Sequence, residues 1–261
     1  MKLNSANINI MVKACRKASK VLIRDFGEIE NLQVSVKGPG NFVTVSDKKV
    51  EKILIDELLK ARPDYSVLSE EIGKINNDKA FKWIIDTIDG TANFLHGVPH
   101  FSISIGLEQN SEIICGIIYD PIKDEMFVAE KGNGAYLNNQ RIRVSSRSKL
   151  KDCIIFTGGP KKGVEDMESS LKEYYNFSSK VQIPIRKLGS AALDMAYVAA
   201  GRCDGFWQRH LEYWDIAAGI ILVKESGGLV TDYYGENKYL ENKTLLVANS
   251  KINKEMIEVL K

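Results

Sequence analysis

The segment WIIDTIDGTANFLHG, residues 83–97, passes from wholly apolar to acidic within a few positions, and that change organises the chain around it. Phe81 to Ile85 reads as a short buried strand that ends in the polar turn Asp86-Thr87-Ile88-Asp89-Gly90-Thr91. Two acids therefore stand at a strand's C-terminal end. Carboxylates at such a mouth repel each other unless donors or a cation intervene. Hard divalent cations meet that need.

Upstream, Ile8, Met11, Cys15, Ala18, Leu22 and Phe26 recur every three or four positions and predict an amphipathic helix stopped by Gly27. A second helix is expected from Asp47, as N-cap, to Lys60, with Val50, Ile53, Leu54 and Leu58 on one face. Between them, VSVKGPGNFVTVSD (34–47) turns at Gly38-Pro39-Gly40 and suggests a mobile, hairpin-like loop. Downstream, FSISIGL (101–107), IICGIIY (113–119), EMFVAE (125–130), GAYLN (134–138) and RIRVS (141–145) predict an antiparallel meander.

The pattern changes near the polar stretch Ser145 to Lys151, so two lobes are expected, 1–146 being α+β and 147–261 α/β. In the second, strands are expected near Cys153–Thr157 and Lys180–Ile185. Helices are expected over Gly189–Ala200 and Asp215–Glu225, the last apolar nearly all round and hence buried.

Composition narrows the function. A formal net charge of +2 with scattered Lys and Arg offers no electrostatic footprint for nucleic acid. The N-terminal stretch lacks an uninterrupted signal-peptide core, and no run is long enough to span a bilayer, so a cytoplasmic location is expected. Cys15, Cys115, Cys153 and Cys203 are far apart, without zinc-type spacing, and read as buried thiols. His96, His100 and His210 read as surface or packing residues, and Tyr174-Tyr175 and the three Trp as core or interface.

Four features carry acids or hydroxyls awkward for a purely structural account: Thr44 to Asp47, Ser69-Glu70-Glu71, Asp86 to Thr91 and Trp214-Asp215. Taken singly, Asp86 and Asp89 suit a turn, Glu70-Glu71 a solvated pair, and Asp215 a helix N-cap. Their conjunction favours a site.

LSEE (68–71), WIIDTIDGTANFLHG (83–97) and YWDIAAG (213–219), in this order, resemble the three motifs of the inositol monophosphatase family, and GNGAYLNNQRIRVS (132–145) resembles a further family segment. The resemblance runs over essentially the whole chain. It implies a layered αβαβα sandwich of mixed α/β class, with the site between the lobes, and a Mg²⁺-dependent phosphomonoesterase acting on a polyol or sugar phosphate.

By the same resemblance, one Mg²⁺ is held by Glu70, Asp86 and the Ile88 carbonyl, and a second by Asp86, Asp89 and Asp215. A third, weaker ion leans on Glu70 and waters. Glu70 and the Thr91 hydroxyl, itself paired with Asp47, orient the attacking water. Gly90, Thr91 and Ala92 offer backbone N–H groups to the phosphate, while Gly189, Ser190, Ala191 and Gln208, with Asp89 and Asp215, face the alcohol. All-oxygen ligation suits Mg²⁺ better than zinc. Two such ions, about 3.5–4 Å apart in sites of this class, clamp the phosphate and acidify water.

Two departures stand out. Thr87 replaces the family's usual Pro, with some loss of rigidity, and Gln208 falls where a Glu is common, so it meets a hydroxyl as an amide. Lys37 occupies a loop position that is often basic. The resemblance further implies a homodimer and lithium sensitivity. Fructose 1,6-bisphosphate, a 3′-phosphoadenosine nucleotide and histidinol phosphate are alternative substrates, and a non-catalytic adapter in transcription or ribosomal RNA maturation is an alternative role.

Overall fold

Helix α1 (Ala6–Gly27) is capped by Ser5, whose hydroxyl accepts the Ile8 N–H at 3.3 Å, and it buries Ile8, Met11, Cys15 and Leu22. Helix α2 (Val45–Ala61) packs beside it through Val50, Leu54 and Leu58. This helix begins before Asp47, so Asp47 is a buried first-turn residue and not the expected N-cap. The computed structural model describes residues 5–28, 34–38, 41–76, 79–159 and 167–260, without side chains for 34–38 and 41–44. The side chains of Lys37 and Thr44, and the centre of the expected Gly38-Pro39-Gly40 turn (39–40), therefore fall outside the description. The backbone of β1 (Val34–Gly38) and β2 (Asn41–Thr44) forms the expected antiparallel hairpin, with Val34 opposite Thr44.

The first sheet contains β3 (Ser66–Ser69), β4 (Gly73–Ile75), β5 (Phe81–Asp89), β6 (Ser102–Gln109), β7 (Glu112–Asp120), β8 (Glu125–Glu130), β9 (Gly134–Leu137) and β10 (Gln140–Arg141). Its order is β10-β9-β8-β7-β6-β5-β3-β4, an antiparallel meander except for the parallel pair β3 and β5. Two details differ from expectation. β5 does not stop at Ile85 but runs through both acids to Asp89, because β6 continues to pair with it. The last meander strand shrinks to the two residues of β10.

After the one-turn helix α3 (Thr91–Leu95) and the meander, the chain builds a second sheet from β11 (Ile155–Thr157), β12 (Ile185–Arg186), β13 (Gly205–Arg209), β14 (Leu229–Thr231) and β15 (Thr244–Ala248). Its order is β12-β11-β13-β15-β14. Helix α4 (Met167–Tyr175) continues into a wider helical turn, Asn176–Val181, where a strand starting at Lys180 was expected. Phe177 explains the difference: it is fully buried and stacks on Trp207 at 4.3 Å between centroids, which keeps the backbone helical there. Tyr174 and Tyr175, read as core or interface, are exposed and do not belong to the core.

Helices α5 (Ala191–Ala199) and α6 (Tyr213–Glu225) lie between the two sheets, and α7 (Ser250–Leu260) covers the outer face of the second. The layers are therefore α1 and α2, first sheet, α5 and α6, second sheet, and α4 with α7: a mixed α/β sandwich of αβαβα type. Small residues set the central spacing. A Cβ on Gly116 would lie 2.7 Å from the Ala218 carbonyl, and one on Gly106 would lie 2.9 Å from the Ala217 Cβ. Only glycines there let α6 approach the sheet this closely, carrying Asp215 toward β5. All four cysteines are buried and free. No helix among the described residues is long and apolar enough to cross a membrane.

Candidate active site

Strand pairing brings the first two acids together. β3 and β5 are parallel and in register from Ser66 opposite Lys82 to Ser69 opposite Ile85, so the next residue on each strand path is Glu70 and Asp86. A second device aligns Asp86 with Asp89. Residues an odd number apart normally face opposite sides of a strand, but β6 opposes Asp86 with Ser104 and Asp89 with Ser102. Three steps on β5 thus match two on β6. The extra residue is a bulge that turns both carboxylates toward the α5–α6 layer.

The acids arrive there from several elements. Asp86, Asp89 and Asp47 are buried, at 2%, 9% and 4% exposure, while Glu70 and Asp215 are partly buried. Burial pushes Asp86 well above the usual carboxylate range, and the negative charges of Glu70, Asp89, Asp215 and Asp47 push it further. Asp89 is raised to about 6, chiefly by burial; donors from Ser190, Ala192 and Ala191 oppose the rise, and Glu70 adds to it. Five carboxylates consequently share one electrostatic neighbourhood.

Their hydrogen bonds are unequal. Asp89 accepts from the Ser190 hydroxyl, from the Ala192 N–H at 2.8 Å and from the Ala191 N–H at 3.3 Å. It thereby caps the start of α5. The Ala191 N–H expected to meet a substrate hydroxyl is thus turned to Asp89, because a carboxylate at a helix N-terminus is the stronger acceptor. Asp215 is the third helical residue of α6, not its N-cap, and accepts the Glu212 N–H at 2.8 Å. By contrast, Asp86 Oδ1 is buried and has no hydrogen-bond partner among the described residues.

Gly90 adopts φ +95°, and α3 starts directly after it. A Cβ there would stand 3.1 Å from the His100 carbonyl and 3.2 Å from the Gly189 carbonyl, so the backbone can cross only at glycine. The first turn of α3 carries the Thr91 and Ala92 N–H groups, which have no intrahelical acceptor. Thr91 Oγ1 donates to the Ile88 carbonyl at 2.8 Å, whereas the resemblance implies Asp47 as its partner. Thr87, at the family's proline position, is buried with no partner for its hydroxyl among the described residues.

Gln208 lies on β13 with the parity of Phe206, which faces the central layer, and opposite to that of Trp207. Its Oε1 is buried without a partner among the described residues, and its amide lies where a Cβ on Gly158 would collide with it. Gly189 is exposed, with φ +90°. His100 Nε2 lacks a partner among the described residues, and the ring is depressed to about 4, first by burial and then by Lys123. His96 is exposed.

Three residues escaped the sequence reading. Glu51 accepts the backbone N–H groups of Glu71 and Ile72 at 3.2 and 3.1 Å, holding the turn that carries Glu70. Its signal was present, an acid among Val50, Leu54, Ile55 and Leu58 on the buried face of α2. Asp194 is buried on α5, with neither oxygen partnered among the described residues, and is raised well above the usual range by burial and by Asp89. Asn93 bridges α3 to Leu188. No local pattern marked either.

No three of these side chains among the described residues close on one point as a ligand cage. Mutual repulsion and the bonds that hold Asp89 and Asp215 account for the open arrangement. The chemistry nevertheless fits a hard cation: every donor is oxygen, and Asp86 Oδ1 is buried with nothing to bind among the described residues.

The profile of the inositol monophosphatase family matches residues 4–260. The chain belongs to the inositol monophosphatase family. It is 49% identical over 257 residues to the inositol-1-monophosphatase of Rhizobium meliloti (strain 1021), covering 98% of this chain and 96% of that one. It is 38% identical over 251 residues to the Nus factor SuhB of Pasteurella multocida (strain Pm70), covering 96% and 94%. A crystal structure of the extragenic suppressor protein suhB from Bartonella henselae superposes with a TM-score of 0.94 at 48% identity, covering 98% of this chain and 99% of that one. By family, then, the chain is a phosphatase.

Proposed function

We propose that this family member is a Mg²⁺-dependent phosphomonoesterase that hydrolyses myo-inositol monophosphate, or a related polyol or sugar phosphate, to the alcohol and inorganic phosphate. The observation that carries the reading is Asp86: buried, with an oxygen unpartnered among the described residues, inside the field of Glu70, Asp89, Asp215 and Asp47. A protein that keeps such a group without a counter-charge loses stability, so the arrangement is best explained by a cation.

In this reading Glu70, Asp86 and the Ile88 carbonyl would hold one ion, and Asp86, Asp89 and Asp215 another, with Glu70 assisting a third. The Ile88 carbonyl has a second lone pair beyond the one used by Thr91. When bound, the ions supply positive charge that offsets the phosphate dianion and lowers the pKa of water. The chain's own groups do the rest. Glu70 takes the proton of the attacking water, Thr91 and Asp47 orient it, and the N–H groups of Gly90, Thr91 and Ala92 bind phosphate oxygens. Gln208 Oε1 accepts a hydroxyl of the alcohol, next to the wall formed by Gly189, Ser190 and Ala191. The division into lobes at 146/147, a homodimer and a cytoplasmic place belong to the same reading.

The deciding experiment is phosphate release from a panel with Mg²⁺ and with chelator: myo-inositol 1-phosphate, fructose 1,6-bisphosphate, a 3′-phosphoadenosine nucleotide and histidinol phosphate. Turnover of the first that depends on Mg²⁺ and falls in millimolar lithium is expected; silence on every polyol and sugar phosphate overturns the proposal. A second reading, an adapter role in transcription, is favoured by the relative named Nus factor SuhB.

A further inference from the structure

The structure assigns to Asn93 the role of a positioning residue that sets the spacing between the turn at 90–92 and the segment at 188–191; the functional meaning of that spacing rests on the function proposed above. The Asn93 side-chain amide donates to the His100 carbonyl at 2.7 Å and to the Leu188 carbonyl at 2.8 Å. A primary amide has two N–H donors, and both are spent on backbone carbonyls from separate parts of the chain. One fixes the loop after α3, and the other reaches across to the segment leading into α5.

The approach is close on both sides. A Cβ on Gly189 would stand 2.9 Å from Asn93 Nδ2, and one on Gly90 would stand 3.2 Å from the Gly189 carbonyl. Immediately beyond, the Ser190 hydroxyl and the Ala191 and Ala192 N–H groups bind Asp89. The segment 188–192 is therefore pinned twice, by Asp89 and by Asn93, and both pins come from 89–93. Asp89 fixes the helix start. Asn93 fixes the carbonyl before Gly189, which has no Cβ to hold its position and adopts a φ of +90°.

In the proposed complex, 90–92 meets the phosphate and 189–191 meets the alcohol. Releasing the Asn93 pin should therefore disturb recognition of the alcohol while leaving the phosphate end and the acids in place. A residue that merely stabilised the fold would affect all substrates alike.

The test compares wild type with Asn93→Ala and Asn93→Asp, the latter keeping the shape but replacing both donors with acceptors. Steady-state kinetics on myo-inositol 1-phosphate and on methyl phosphate are read beside amide hydrogen exchange over 188–193. The expected result is a KM rise of about fivefold or more for the inositol ester, about the worth of one lost hydrogen bond. For the same variants kcat and the methyl phosphate constants stay within about twofold, and exchange over 188–193 quickens. Parallel losses on both esters, or unchanged exchange, overturn the assignment. Should wild type turn over neither ester, the substrate panel above decides the proposed function, and exchange alone decides the structural pin. If Asn93→Ala does not fold, Asn93→Ser carries the same comparison.

Discussion

Two sets of buried acids in this molecule have opposite surroundings. Asp120 accepts the N–H groups of Ile122 and Lys123 and the Lys123 ammonium. Asp204 accepts the Ile154 N–H at 2.8 Å and Arg147 at 3.0 Å, and Asp232 accepts from Tyr234, Glu236 and Asn242. All three are essentially fully buried, and each replaces the water it lost with donors. On the other side of the comparison, among the described residues Asp86 keeps an unpartnered oxygen, Asp194 keeps two, and their neighbours are other acids. Satisfied acids tie turns and strands together. In the proposed function, the unsatisfied ones mark the place where a bound cation would supply the counter-charge.

The sharpest way to break that contrast is Asp86→Asn. Loss of hydrolysis by on the order of a hundredfold to a thousandfold is expected, as for removal of one essential electrostatic group. The same variant should raise the melting temperature in chelator, because it removes a buried charge. The sign follows from the raised acids: their stabilising contribution is complete below the unfolded value of 3.8 and is lost as pH rises through the raised folded values, about 6 for Asp89 and well above the usual carboxylate range for Asp86. Melting curves from pH 4 to 8 in chelator should therefore be flatter for Asp86→Asn than for wild type. An equally inactive variant that still performed a cellular role would separate the adapter reading from catalysis.

On the satisfied side, Asp204→Ala should cost about 1–3 kcal/mol, since it leaves the Ile154 N–H without its acceptor and releases Arg147 to solvent. Denaturant unfolding measures it, and activity per folded molecule should be unchanged. If Asp204→Ala were harmless, the division between structural and site acids would lose its basis.

A smaller effect comes from His100. Its folded value near 4 lies below the ordinary value of 6.5, so its contribution is complete above pH 6.5 and fades as pH falls toward 4. Because the ring is only partly buried, solvent screens much of the effect. His100→Gln should remove a shallow acid-side slope in stability; an identical slope in the variant would show that the ring is not the group responsible.

Much of the fold was legible because the signals were short-range. The apolar repeat of α1, the meander from Phe101 onward and the apolar run of α6 each encode their own element through side-chain period alone. The candidate residues Glu70, Asp86, Asp89 and Asp215 were legible as motif acids. Less so were Phe177, which keeps a helical turn where a strand was expected, and Glu51 and Asp194, acids on helix faces that gain meaning only from what packs on them. The Thr91 hydroxyl bonds the Ile88 carbonyl three residues back, a local contact open to any Thr.

By itself, then, the sequence determined which residues carry oxygen donors, which faces are apolar and in what order strands and helices follow. These are properties of neighbours along the chain. Only the tertiary structure decided that the bulge in β5 turns Asp86 and Asp89 to one side, that parallel pairing sets Glu70 beside Asp86, and that Asn93 reaches Leu188. Those outcomes depend on register and close approach between distant segments, which hydrogen-bond closure and packing settle together once the whole core is assembled.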